Sequence, residues 1–412
     1  MLNYHQLGEE LAVARQGNRQ AAGWLPSAAD GWPAPEELDL ERLRWNPDVL
    51  RAGLRRPLIL VGGFAANGLC RVEEYGGRRY LGQQVWPPFH FHPTSGNWRI
   101  HPLSELNRGE LVPTGLLIGQ YEPLLMFLQQ ELGYRLDHDL FLFPYCWTES
   151  NRTSGRRLAG FIQQVLEARG GEEVDVLSHS MGGLVARVAG LLFGAPLRRC
   201  IYLACPFFGA GKAYFNLHPG QTLQLVDNLL LNRLISRFSP ETLLNRDQTL
   251  RQCFQSWPSL FELLPDGHAF SQGWAPVGRR SFPDGQRLQS EDWELTYCQD
   301  VSTAFPEELR GAVSEAMALK EELGPGMPGT RYLTLYSAAF PTPSRVDITL
   351  EMSLFTVFGQ VYDLDNAGGD GTVPSFSGKG PGEALEVHGR HLALPNHRLT
   401  FYWLARFLDS CP

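Results

Sequence analysis

Three residue types spaced far apart could carry out acyl transfer here: a serine, a carboxylate and an imidazole. The serine is the clearest. Ser180 lies in Val174-Asp-Val-Leu-Ser-His-Ser-Met-Gly-Gly-Leu-Val-Ala-Arg-Val188. A short β-like run, Val174 to Leu177, leads into Ser-His-Ser-Met-Gly, and a helical apolar pattern starts at once. That strand–turn–helix context is a nucleophile elbow, written S-x-S-x-G in place of G-x-S-x-G. So sharp a turn needs small flanking residues, and Ser178 stands two before the nucleophile and Gly182 two after it. The turn lifts the hydroxyl above the sheet edge. It also sets it at a helix N-terminus, where backbone N–H groups favour developing negative charge.

A serine hydroxyl is a weak nucleophile until a base takes its proton, and the base needs an orienting acid. In chains with this elbow the order is serine, acid, histidine. The acid candidate is Asp370, in Asn366-Ala-Gly-Gly-Asp-Gly-Thr-Val-Pro374, where glycines on both sides allow a tight turn. Alone, an Asp-Gly pair is an ordinary turn, and Asp363 and Asp365 compete for the role. The base candidate is His391, just past the strand-like Ala384 to His388, with His397 the runner-up at the start of the last helix, where a capping histidine is ordinary. His388 reads as structural, and His179 as pointing elsewhere on the elbow. The oxyanion needs two N–H donors: the Met181 amide after the nucleophile, and the Phe64 amide after Gly62-Gly63. Each is worth about 3 kcal/mol of transition-state stabilisation.

The elements that must position these groups are legible as periodicity. Pro57 to Val61 is a short apolar run closed by Gly62-Gly63 and reads as a buried strand. Tyr121 to Tyr134 has helical spacing, Leu140 to Phe143 is a strand, Thr153 to Arg169 a helix, and Arg199 to Ala204 the strand after the elbow helix. This β-α-β-α order predicts a parallel sheet with helices on both faces. Alternation then stops. Residues 206–325 carry helix-like segments, notably Leu223 to Phe238 and Pro306 to Leu323, and read as an inserted, mainly helical cap. Tyr332 to Tyr336 and Ala384 to His388 return to strand patterning, and a helix runs from Arg398 to Leu408. The expected organisation is an N-terminal extension over 1–50, core over 51–205 with a weakly patterned loop insertion at 70–115, cap over 206–325, and core again over 326–412.

Composition sets outer bounds. The 412 residues, 43% apolar and 19% charged, can bury a large core. A net charge of −8 offers nucleic acid no basic footprint. Seven scattered cysteines include no C-x-x-C pair, which argues against zinc or thioredoxin-type chemistry. The pattern calls for no metal and no cofactor. The first ten residues, Met-Leu-Asn-Tyr-His-Gln-Leu-Gly-Glu-Glu, show no signal-peptide pattern, and no apolar run reaches membrane-spanning length. The default expectation is cytoplasmic, with export by a signal-peptide-independent route as the alternative.

Taken in order, these segments resemble the lecithin:cholesterol acyltransferase family, which includes lysosomal phospholipase A2. Pro57-Leu-Ile-Leu-Val-Gly-Gly-Phe-Ala-Ala-Asn-Gly-Leu69 looks like its oxyanion segment, with Gly62 where proline is usual. Gly133-Tyr134 with Asp139-Leu-Phe-Leu-Phe-Pro-Tyr-Cys-Trp147 looks like its G-Y…D-L-F…P-Y-D-W stretch. Ser178 to Gly183 resembles its H-S-M-G-G elbow, Pro206 to Ala213 its P-x-x-G-x-x-K-A segment, and Pro258 to Pro265 its P-S-x-x-x-L-L-P segment. Gly369 to Pro374 and His391-Leu-Ala-Leu fill the acid and histidine positions. Two departures stand out: Cys146 occupies the usual Asp position and Thr148 a frequent Arg position.

The resemblance, over about residues 55–410, implies an α/β-hydrolase fold with Ser180–Asp370–His391 as the triad and Phe64 and Met181 as oxyanion donors. It implies a lipid substrate met at a membrane or micelle surface, cleaved by an ester hydrolase or O-acyltransferase. Lipid-facing candidates are Trp86, in the aromatic run to Phe91, and Leu229 and Leu230, on the apolar Leu223 to Phe238 stretch. That stretch otherwise packs inside the cap. The competing readings are a carboxylesterase for soluble esters and a catalytically inactive fold used for binding.

Overall fold

A computed structural model of the chain describes residues 56–92, 97–100, 103–217, 251–266, 277–281, 294–297, 305–324, 326, 331–353, 356–380 and 382–409. The N-terminal extension, the Leu223 to Phe238 stretch with Leu229 and Leu230, and Cys298 and Cys411 lie outside these. The five described cysteines are buried and form no disulfide.

Strand β1 (Leu58–Val61) is four fully buried apolar residues, the signature of a strand covered on both faces. Strands β2 (Asn67–Tyr75), β3 (Arg78–Trp86) and β4 (Leu111–Leu116) follow. Next come α1 (Ile118–Met126), β5 (Leu140–Phe143), α2 (Asn151–Arg169), β6 (Val174–His179), α3 (Gly182–Phe193) and β7 (Leu197–Leu203). Further on lie α4 (Gly211–Leu217), α5 (Glu307–Leu323), β8 (Arg331–Tyr336), β9 (Phe340–Ser353) and β10 (Thr356–Gly369). The described chain closes with α6 (Ser375–Lys379), β11 (Ala384–Glu386) and α7 (Arg398–Asp409).

The central sheet runs β11–β8–β7–β6–β1–β5, and every neighbouring pair is parallel. From β1 the chain steps outward to β5, returns across β1 to β6, and then proceeds the other way through β7, β8 and β11. The order therefore reverses between β1 and β6, with Val61 level with Ser178. In open parallel sheets the crevice beyond the strand C-termini at such a reversal is where ligands bind. The loops after β1 and β6 carry Phe64 and Ser180, so topology alone puts these residues side by side.

Local chemistry fixes the flanking helices. Helix α2 starts at Ser150, whose Oγ accepts from the Arg152 N–H, and stops at Gly170 in the left-handed conformation (φ 70°). Gly155 lets α2 lie close against α3, since a Cβ there would sit 2.3 Å from Val188 Cγ1. At the other end of the sheet, the Arg199 guanidinium on β7 forks onto Asp175 of β6, with Nε–Oδ1 at 3.0 Å and Nη2–Oδ2 at 2.6 Å. Its Nη1 donates to the carbonyls of Phe407 and Leu408, capping the last turn of α7. One buried cation thus staples two strands and the final helix.

Two regions differ from the sequence reading. Residues 70–115, expected to be irregular, contain the antiparallel sheet β3–β2–β4. Register shifts between Leu69 and Cys70 and between Cys70 and Val72 break the alternation. The outer part of the hairpin is also exposed, so no apolar period builds up. The turn signal was present, because Gly76 and Gly77 both have positive φ, as a tight hairpin requires. The second region is β9–β10, a pair of 14-residue strands that Val277–Ser281 and Glu294–Tyr297 extend to a four-stranded sheet. The span read as a helical cap thus holds α4 and α5 but also contributes strands. Among the described residues no helix is long and apolar enough to cross a membrane.

Replacing Arg199 by Met would leave the buried Asp175 carboxylate without its cation. Removing one partner of such a pair costs about 3–5 kcal/mol. A large fall in the urea unfolding midpoint is expected, and an unchanged midpoint would show that the staple contributes little.

Candidate active site

The site is built around one strained residue. Ser180, between β6 and α3, has φ 55°, a left-handed conformation that costs a non-glycine residue about 1–3 kcal/mol unless its surroundings impose it. Here they do. Its N–H donates to the Leu203 carbonyl at 2.9 Å, and its carbonyl accepts from the Gly183 N–H at 2.9 Å. The neighbours must be small for steric reasons. A Cβ on Gly182 would lie 2.4 Å from the Gly62 carbonyl oxygen and 2.5 Å from that of Val61, and one on Gly63 would lie 2.8 Å from Ser180 Cβ. Ser178 fits where glycine is usual because its hydroxyl donates to the Ile201 carbonyl at 2.9 Å.

His391 and Asp370 meet Ser180 in a line. His391 Nε2 is 2.9 Å from Ser180 Oγ, and its Nδ1 is 2.8 Å from Asp370 Oδ2. All three are buried. A carboxylate can only accept, so Nδ1 carries the proton and Nε2 is free to take one from the serine. The other oxygen of Asp370 accepts from the Thr372 and Val373 N–H groups at 2.8 and 2.7 Å, which fixes the carboxylate plane. The His391 N–H donates to the Asp370 carbonyl at 2.9 Å, tying the two loops together. Asp370 follows the long β9–β10 excursion but returns to where that excursion began, bridging Phe340 just after β8.

The loop after β1 faces the serine. Its Gly62 carbonyl accepts from Tyr145 Oη at 2.9 Å, and its Gly63 N–H donates to Tyr121 Oη at 3.1 Å. The Phe64 ring rests against Trp147 at 4.8 Å and Trp257 at 6.2 Å. The amides of Phe64 and Met181 have no acceptor among the described residues, the condition a donor pair for an oxyanion must meet.

Among the described residues, the cleft over Ser180 is lined by apolar groups, among them Leu260, Leu263, Val373 and Leu392, and by Lys212, whose Nζ is 3.2 Å from Thr372 Oγ1. The sequence reading did not single out Lys212, although it stands in the Pro206 to Ala213 motif. That reading also passed over Tyr121. His179 enters a buried network: its Nδ1 is 2.8 Å from Tyr121 Oη and its Nε2 3.0 Å from the His391 carbonyl. No linear pattern signals that triangle, because its members are far apart in sequence.

Other candidates sit elsewhere. His397 caps α7, its Nδ1 accepting from the Leu399 N–H at 3.2 Å. His388 falls outside β11, exposed beside Glu386. Asp363 and Asp365 lie within β10. Trp86 is not on the cleft wall: it is buried, its Nε1 donating to the Ala65 carbonyl at 2.8 Å and its ring 5.2 Å from Trp147, so it braces the oxyanion loop. Cys146 is buried with its Sγ 3.2 Å from Thr148 Oγ1, and burial pushes its thiol pKa up. An uncharged group therefore stands at this position. No cluster of described side chains could hold a metal.

A serine on a strand–helix elbow at the reversal of a parallel sheet, with its histidine and carboxylate supplied from downstream loops, defines an α/β-hydrolase. The family model for lecithin:cholesterol acyltransferase matches residues 105–314, just over half of the 412, and the chain belongs to that family. Lecithin-cholesterol acyltransferase-like 4 of Arabidopsis thaliana is 25% identical over 312 residues, 67% of this chain and 56% of that protein. The chain therefore spans little more than half the length of this relative. Among solved structures, a chain of the Tle4–Tli4 complex has a TM-score of 0.49 at 14% identity, covering 87% of this chain and 99% of that one. Mature Bacillus licheniformis lipase BlEst2 has a TM-score of 0.38 at 12% identity, covering 86% and 92%.

Burial holds the His179 pKa well below the ordinary 6.5, with the nearby His391 acting in the same direction. Below pH 6.5 the unfolded chain takes up a proton at His179 that the folded chain refuses. This contribution to stability is therefore present above 6.5 and lost as pH falls, by up to about 1.4 kcal/mol per pH unit. Melting temperatures between about pH 7 and pH 5 should fall more steeply for the wild type than for His179→Gln. Equal slopes would mean that His179 titrates normally.

Proposed function

We propose that this protein is a serine-dependent lipid acyl hydrolase or acyltransferase that cleaves glycerolipid esters, phospholipids among them, through an acyl-serine intermediate. The observation that carries the proposal is the continuous line Ser180 Oγ–His391 Nε2–Nδ1–Asp370 Oδ2, at 2.9 and 2.8 Å. Membership of the lecithin:cholesterol acyltransferase family supports ester chemistry on lipids. The apolar cleft walls suit an acyl chain.

In this reading Ser180 Oγ attacks the ester carbonyl carbon while its proton passes to His391 Nε2. The imidazolium is stabilised by Asp370, whose carboxylate is held in place by its two amide donors. The carbonyl oxygen becomes an oxyanion held by the Phe64 and Met181 N–H groups. The intermediate collapses, the C–O bond to the alcohol breaks, and His391 returns its proton to the leaving oxygen. Water or an acceptor alcohol then attacks the acyl-serine, giving its proton to His391, and Ser180 is released with that proton. Whether free acid or a new ester forms depends on how well the closed cleft excludes water.

Ser180→Ala should retain the fold, lose fluorophosphonate labelling, and cut turnover of a chromogenic ester by a factor on the order of 10⁶. His391→Ala should be comparably damaging. His397→Ala should cost only a helix cap, about 1 kcal/mol of stability, with labelling intact; the reverse pattern would mean the base is misassigned. Mass spectrometry of products from mixed phospholipid vesicles should show fatty acid and lysophospholipid, with an acyl ester added when a long-chain alcohol is supplied. Turnover of short soluble esters alone would favour the carboxylesterase reading.

A further inference from the structure

We propose that His179 and Tyr121 are positioning residues for acyl transfer, a buried relay that locks the oxyanion loop to the loop carrying the base. The inference rests on the reading of Ser180 as the nucleophile.

The relay is a chain of three hydrogen bonds: Gly63 N to Tyr121 Oη at 3.1 Å, Tyr121 Oη to His179 Nδ1 at 2.8 Å, and His179 Nε2 to the His391 carbonyl at 3.0 Å. Its proton positions are determined. The His391 carbonyl can only accept, so Nε2 of His179 carries the hydrogen. The Nδ1 of a neutral ring is then bare, so Tyr121 donates to it. That uses the single phenol hydrogen, and the phenol oxygen is left to accept from the Gly63 amide. Every donor runs in one direction, and in a dry interior such a chain strengthens itself. Tyr121 is fully buried and His179 nearly so.

Each end of the relay grips something the reaction needs. At one end, Tyr121 and Tyr145 hold the two polar groups of one peptide, the Gly63 N–H and the Gly62 carbonyl, and the next peptide along carries the Phe64 N–H. Rotating that one peptide would take away the Tyr145 hydroxyl's acceptor and leave the Gly63 N–H without its partner in a buried setting. At the other end, the His391 backbone is held twice, its N–H by Asp370 and its C=O by His179. The ring that shuttles the proton therefore hangs from an immobilised backbone. His179 must also be neutral to play this part. Its ring centre is 4.9 Å from that of His391, and a second cation there would oppose the imidazolium that forms when Ser180 gives up its proton. The Tyr121 hydrogen occupies the one nitrogen where a proton would add.

A device of this kind stabilises geometry used in the transition state, so its loss should appear in kcat rather than KM. The test uses the full chain with Tyr121→Phe, His179→Ala and His179→Gln, assayed on p-nitrophenyl butyrate and by the rate of fluorophosphonate labelling. Tyr121→Phe should lower kcat on the order of tenfold to a hundredfold, less than deleting an oxyanion donor outright, with KM within about twofold. His179→Ala should behave alike, and the double variant should be no worse than the poorer single, because both break one chain. His179→Gln, whose amide can still donate to the His391 carbonyl, should recover part of the alanine loss. Additive losses, a change in KM alone, or kcat within about twofold of wild type would overturn the relay. If His179→Ala does not fold, the near-isosteric Tyr121→Phe decides by itself. Activity that survives in Ser180→Ala would instead sink the nucleophile assignment, whatever Tyr121 does.

Discussion

Everything at this site depends on holding one non-glycine residue in a left-handed turn. Ser180 at φ 55° directs its hydroxyl away from the sheet and toward His391. An isolated chain would relax out of that conformation. It persists because β1 passes so close that Gly182 and Gly63 admit no Cβ, and because the serine's own N–H and C=O are both taken. The tight packing that strains the serine also brings the oxyanion loop to it. Strain and catalytic geometry are two results of a single steric fact.

The second constraint is electrical. Three ionisable groups, Asp370, His391 and His179, share a buried region. Such a region tolerates charge only where hydrogen bonds meet it. The Asp370 carboxylate meets two amides and a ring N–H. His179, buried beside His391, stays neutral instead, and takes its hydrogen bond from Tyr121. The Asp370 carboxylate is thereby kept opposite the imidazole that becomes cationic, and His179 adds no positive charge beside that ring.

Excursions of the chain leave this arrangement undisturbed because each returns to its starting point. The β2–β3 hairpin leaves after the oxyanion loop, and Trp86, at its end, bonds back to Ala65. The β9–β10 hairpin leaves after β8 and closes with Asp370 beside Phe340. Insertions anchored at both feet add surface near the cleft without moving the groups that react.

The sequence alone showed which residues belong together. The elbow around Ser180, the glycine-flanked Asp370 and the histidine following a late strand are local patterns, because tight turns need small residues wherever they occur. The strands and helices of the parallel core were legible for a similar reason: a segment buried on both faces, like Leu58–Val61, must be apolar throughout. The β2–β3 hairpin was not, since a half-exposed strand with register shifts leaves no clean period. Only the tertiary structure decided that Trp86 is a brace and that His179 is neutral. Each of these follows from burial and from partners tens to hundreds of residues away. Hydrogen bonding and desolvation act through space, and neither leaves a mark on the order of residues along the chain.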